Sequence, residues 1–194
     1  MIGLVVTVIV VLDVILLGVW LVRVHGEVNR FREEVNCSWI QLREAIVCRR
    51  EIMPYLIASI SLQEREAVEA IGNACDLASQ VAGISEQARA ESRLNTALQS
   101  LLMVISEHVE FSRDPSFQRI CMELKALDER IDFLCALYNK QVAAYNTRME
   151  SAPARLLSLF VPLKMAESFN TANGGVREAL AQLAINDTSN GSAP

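Results

Sequence analysis

Any chemistry in this chain must come from a few residues set in an apolar, alanine-rich sequence. Asp13 is an ionisable side chain near the middle of a run of Val, Ile and Leu from Ile2 to Val22. Such a carboxylate either pairs with a polar group on another membrane helix or on a second copy, or is carried protonated by an otherwise apolar segment. Arg49 and Arg50 lie just ahead of Pro54. Their guanidinium groups could receive a carboxylate or a phosphate, or could form a solvated or internally paired basic turn. Tyr138 and Tyr145, like Asn139 and Asn146, are seven positions apart, so each pair lies on one face of a helix. Their hydroxyls and amides either present a surface to a ligand or partner, or pair across helices and set register.

The remaining reactive residue types do not assemble into a reaction. His25 and His108 are isolated, and the five cysteines (Cys37, Cys48, Cys75, Cys121 and Cys135) are odd in number and contain no Cys-x-x-Cys pair. Neither a disulfide framework nor a zinc site follows, and reduced, buried packing thiols are expected. No phosphate loop, metal motif or nucleophile with a base partner is present. The expectation is a protein that is not an enzyme, with no catalytic residue, no cofactor and no metal. A net charge of −5 gives no electrostatic case for nucleic acid as a partner.

These residues are positioned by helices. From Ile2 to Val22 a helix would be about 30 Å long, the thickness of a bilayer's hydrocarbon core. A central Asp costs about 3 kcal/mol on insertion scales, and about sixteen Val, Ile and Leu residues return roughly twice that. No basic residue precedes the run and no small-residue cleavage site follows it, so a retained anchor is favoured over a cleaved signal. Arg23, Arg30 and Arg32 follow the span, which predicts an outward N-terminus and a cytoplasmic domain.

Beyond the span, Val24, Val28, Phe31, Val35, Trp39, Leu42, Ile46, Met53, Ile57 and Ile60 recur in steps of three and four with few omissions. This stripe predicts one rod continuous with the span, kinked at Pro54. Ser61 to Glu64 has the form of a capping box opening a second helix, which runs to about Phe111 with a bend near Gly83. Asp114-Pro115 opens a third helix. There Phe117, Ile120, Leu124, Leu127, Ile131, Leu134, Tyr138, Val142, Tyr145 and Met149 form a heptad seam. An apolar segment containing Leu156, Leu157, Phe160 and Phe169 follows. In an out-and-back-and-out arrangement it lies about 50 Å from the bilayer. It is then either a lid on the open end of the bundle or an exposed patch for a partner.

Two passages resemble the LemA family of bacterial membrane-anchored helical proteins. One is Trp39-Ile40-Gln41-Leu42 followed by Cys48-Arg49-Arg50-Glu51-Ile52-Met53-Pro54-Tyr55-Leu56-Ile57. The other is Tyr138-Asn139-Lys140-Gln141-Val142-Ala143-Ala144-Tyr145-Asn146, which is similar to that family's doubled Tyr-Asn signature. The sequence departs from the family pattern at Cys48, Cys135 and Tyr55. The resemblance implies a long helical bundle on a single span and brings no catalytic activity with it.

The expected architecture is all-α: a single N-terminal transmembrane helix continuing into an antiparallel bundle of three long helices, with short C-terminal helices. Its parts are an anchor at 1–22, a bundle domain at 23–169, and a short amphipathic helix with a disordered tail at 170–194. The expected role is a membrane-anchored scaffold or protein-interaction module, whose partners are the lipid bilayer, an unidentified protein and, as a further candidate, a second copy. The alternative is an accessory subunit of a membrane complex assembled through the span and Asp13.

Overall fold

A computed structural model of the chain describes residues 2–60, 65–106, 108, 111, 114–151, 155, 164–171, 175–181 and 183. Four helices dominate: α1 (Ile2–Ala58), α2 (Arg65–Gln80), α3 (Ile84–Ser106) and α4 (Pro115–Glu150). The described residues contain no strand, in keeping with the all-α expectation. α1 is a single helix from the apolar run into the bundle, uninterrupted by Gly26 and with Pro54 inside its last turns. Its N-terminal part is long and apolar enough to cross a membrane, and none of its most apolar stretch is buried against the rest of the chain.

α4 begins where Asp114-Pro115 predicts. The Asp114 carboxylate accepts from the Ser116 amide at 2.9 Å, and Pro115 occupies the first turn, where its missing N–H has no carbonyl to serve. The expected second helix is two helices. The chain leaves helix after Gln80 and re-enters at Ile84, and the Gly83 carbonyl accepts the first bond of α3 from the Gln87 amide at 2.8 Å. Glycine is tolerated at this cap and disfavoured in a helix interior, so the break falls there. The proposed capping box at 61–64 lies outside the described residues.

This extra turn reverses the direction of everything after it. α2 folds back on α3 as a short hairpin, and α4 runs antiparallel along α1. Trp39 meets Tyr138 and Arg49 meets Asp128, so ten residues up α1 correspond to ten residues down α4. Arg148 near the end of α4 pairs with Glu27 on α1, five residues past Val22. The end of α4 and residues 164–171 therefore lie toward the apolar-run end of the bundle and not at its far end. This corrects the expected direction for the described part of the apolar segment, residues 164–169; residues 156–163 lie outside the described residues. An odd number of long helices would have carried the segment outward; the break at Gly83 makes the number even.

The core is divided lengthwise. Near the end of α1 farther from the apolar run, Met53 and Leu56 pack with Leu94, Leu98, Leu101 and Ile105 of α3 and with Phe117 and Leu124 of α4. Nearer that run, Val28, Val35, Leu42 and Ile46 pack with Ile131, Tyr138, Val142, Tyr145 and Phe169. A helical stretch at 175–181 adds Val176, Ala179 and Leu180 to the first cluster. The core thus continues past residue 169, where the domain had been expected to end. The expected disordered tail, 186–194, lies outside the described residues.

Candidate functional site

Between α1 and α4 lies a groove whose contents follow from the doubled Tyr-Asn pattern. Residues 164–171 run along α4 without helical structure. Tyr145 donates its hydroxyl to the Lys164 carbonyl at 3.0 Å, and Tyr138 donates to the Glu167 carbonyl at 2.7 Å. Asn146 donates to the Ala166 carbonyl and accepts from the Ala166 amide, both at 2.9 Å. Asn139 does the same to Phe169, with both bonds at 2.8 Å. Each Tyr-Asn pair thus takes one carbonyl and then both backbone groups of the residue two positions on. The pattern repeats every three residues along the segment and every seven along the helix.

The match is geometric. Seven helical residues rise about 10.5 Å, and three residues of extended chain cover about 9 to 10 Å. A two-residue strand repeat would turn the backbone of Ala166 and Phe169 to opposite sides, whereas a three-residue repeat turns both toward α4. All six bonds go to main chain, so the groove reads an extended backbone and leaves most side chains of the segment unread. Besides a 3.4 Å bond from Asn139 to the Asn170 side-chain oxygen and the contact of Ser85 with Glu167, the main exception is Phe169. It is fully buried with its ring 5.5 Å from that of Trp39, which lies 5.4 Å from Tyr138. Burial, reinforced by Glu167, pushes the Tyr138 hydroxyl up to about 12, so it remains a donor. Ser85 of α3 closes the far side, donating to the Glu167 carboxylate at 2.6 Å.

Ten residues along α1 from Trp39 a second polar group is buried. Arg49 reaches Glu91 at 2.5 Å, Asn95 at 2.8 Å and Asp128 at 2.9 Å, tying α1 to α3 and α4. Burial works against the guanidinium charge, yet the pull of Asp128 and Glu91 raises its pKa above the ordinary value. For Asp128 burial is the stronger influence and raises the carboxyl above its ordinary range despite Arg49. One oxygen of each carboxylate and the Arg49 Nε lack a hydrogen-bond partner, although Arg50 approaches the Glu91 oxygen at 3.7 Å. The cluster can hold three helices in register and can bind a proton. Among the described residues no group of three or more His, Cys, Asp or Glu side chains could hold a metal ion.

The structure brings Trp39, Tyr138, Asn139, Tyr145, Asn146 and Phe169 into one site. Arg49 stands apart in the buried cluster, which settles the choice at that position for internal pairing, and Pro54 is on the exposed face of α1. Asp13 is exposed on the N-terminal part of α1. Of the apolar patch, Leu156, Leu157 and Phe160 lie outside the described residues, and Phe169 is core and not exposed surface. The cysteines also depart from expectation: Cys37 and Cys48 are exposed, and only Cys75, Cys121 and Cys135 are partly buried. Glu91, Asn95 and Asp128 were missed, although each stands at a core position among apolar residues of its helix.

Fold and groove together define a helical-bundle protein, with one N-terminal helix apolar and long enough to cross a membrane, that clamps an extended piece of its own chain against its longest helix pair. The LemA family model matches residues 38–181, a stretch that begins beside Trp39 and takes in the groove, the segment and the buried charges. The chain belongs to the LemA family. No curated protein matches it.

Proposed function

We propose that this protein is a membrane-anchored helical scaffold or protein-interaction module without catalytic activity, its N-terminus outside and its bundle in the cytoplasm. The observation that carries the reading is the continuity of α1. One helix joins an unburied, membrane-length apolar stretch to the floor of a groove built to hold extended chain. Such a part presents a binding surface at a fixed height above a bilayer. The basic flank Arg23, Arg30 and Arg32 favours the cytoplasmic side, and the hydroxyls and amides of Tyr138, Asn139, Tyr145 and Asn146 are directed mainly to main chain.

The second reading, an accessory subunit assembled within the membrane, is favoured by Asp13, exposed on α1 at the centre of the apolar run. Cross-linking in membranes followed by affinity purification separates the two. Chains with the native span, with an unrelated span and with Asp13→Leu should capture the same proteins if the bundle is the working part. Capture lost with Asp13→Leu alone would overturn that reading in favour of assembly through the span.

A further inference from the structure

We infer that the end of the bundle nearest the apolar run is a contact surface for anionic phospholipid headgroups, where Arg148, Arg155 and Lys164 join the basic flank of α1 in holding lipid phosphates. The inference rests on the membrane-anchored reading and adds that the bundle sits directly on the bilayer, with no bare stalk between. Three observations support it. The first is closeness. Leu21, inside the apolar run, is partly buried against the core cluster that contains Met149, and Val24 is buried in the same cluster.

The second observation is where α4 stops. Arg148 pairs with Glu27, five residues past Val22 or about 7.5 Å along the axis. Ser151 caps α4, three residues further along an antiparallel helix and so about 4.5 Å nearer the apolar run. The polar layer outside a bilayer's hydrocarbon core is about 5 to 7 Å thick, so with the span in place α4 ends within it. The Arg155 amide donates to the Ser151 carbonyl at 3.0 Å, which keeps Arg155 at that end. Lys164, whose carbonyl accepts from Tyr145, stands about 9 Å above Ser151.

The third is charge. Below the level of Glu33 the described residues bring together Arg23, Arg30 and Arg32 of α1 with Arg148, Arg155 and Lys164, against the carboxylates of Glu27 and Glu150. Glu33 and Glu34 stand just above, Glu34 paired with Arg30. Arg148 is partly exposed and the other five basic residues are exposed, while the chain as a whole carries a net charge of −5. Guanidinium and ammonium groups donate to phosphate oxygens, and a cluster of about four to eight such groups beside a span draws anionic lipid. Arg148, Arg155 and Lys164 are far from the span in the sequence, and the antiparallel return of α4 is what adds them to the cluster.

The test reconstitutes the full-length chain in vesicles of phosphatidylcholine mixed with phosphatidylglycerol, extracts it in mild detergent and measures the lipid that stays bound. Wild type should retain phosphatidylglycerol over phosphatidylcholine several-fold above their ratio in the vesicles. Arg148→Gln with Arg155→Gln and Lys164→Gln should lower that enrichment about twofold or more, and Lys125→Gln with Arg130→Gln, elsewhere on α4, should leave it unchanged. Arg155→Gln with Lys164→Gln alone keeps the pair of Arg148 with Glu27 and should give a smaller loss with an unchanged thermal unfolding curve, which separates lost lipid contact from lost packing. Undiminished enrichment in the triple variant means that the flank of α1 suffices and overturns the proposal. So does displacement of the bound lipid by inorganic phosphate at constant ionic strength, which would make a free anion the ligand. A chain that alkaline carbonate washes off the vesicles would sink the anchored reading itself, whereas no enrichment in a chain that stays embedded sinks the headgroup contact alone.

Discussion

Arg49 shows most directly what one side chain contributes here, because three helices direct polar groups at it. Arg49→Met leaves Glu91 and Asp128 buried without their nearest counter-charge, and the loss should be about 3 to 5 kcal/mol of unfolding free energy in urea. Adding Glu91→Leu and Asp128→Leu should recover most of it, since an apolar replacement of the whole cluster leaves no charge stranded. Asp128 also makes stability depend on pH. Its folded pKa is raised, so the native state binds the proton more tightly than the unfolded chain does. Its contribution is therefore largest below the ordinary carboxylate range and declines as pH rises through the interval up to the raised value. The stability difference between wild type and Asp128→Asn should fall with rising pH across that interval, and a rise would contradict the assignment. This cluster was hard to read in the sequence for a physical reason. Steps of three and four admit either Leu127 or Asp128 at one place in the α4 seam, and hydropathy selects Leu127, whereas burial selects Asp128. Gln87 and Glu91 stand in a polar stretch that interrupts the apolar spacing of the sequence, yet both side chains are buried.

At the scale of elements, the seven-residue step of α4 against the three-residue step of the 164–171 segment makes each asparagine a local latch. Asn139→Ala should release the Phe169 amide to exchange with solvent much faster while leaving the interior amides of α4 protected, and Asn146→Ala should do the same at Ala166. Residue-resolved hydrogen exchange reads both. Asn139→Asp should behave nearly as badly as Ala, because a carboxylate still accepts from the Phe169 amide but faces the Phe169 carbonyl with no donor. The helices themselves were legible: the α1 stripe, the Asp114-Pro115 cap and, apart from the Leu127 position, the α4 seam stand where periodicity puts them. The doubled Tyr-Asn spacing was equally visible. Its counterpart was not, because the segment answers it with backbone groups, which every residue carries and no sequence pattern reveals.

For the whole molecule, the break at Gly83 decides which way the last long helix points, and so whether residues 164–171 lie near the apolar end of α1 or away from it. A single glycine weakens a helix without announcing a reversal, and both readings satisfy the same apolar stripe. Thiol labelling of the folded protein offers a global check. Cys37 and Cys48 are exposed and should react first. Cys121, whose thiol burial pushes up to about 12, should react last, since the thiolate is the attacking form. Equal rates at all five would mean that the bundle is not packed as described. The unbroken α1 has one further mechanical consequence. Asp13 and Arg49 are thirty-six positions apart, ten full turns at 3.6 residues each, so the Asp13 side chain in the apolar run shares a compass bearing with the side of the shaft that α4 covers. Inserting one alanine between Val22 and Arg23 should swing the bundle by about 100° relative to Asp13 and lift it by about 1.5 Å, with both parts still folded. Any association that engages span and bundle together should then wax and wane with the number of residues inserted, returning near four and again near seven, like a key that turns only at certain angles.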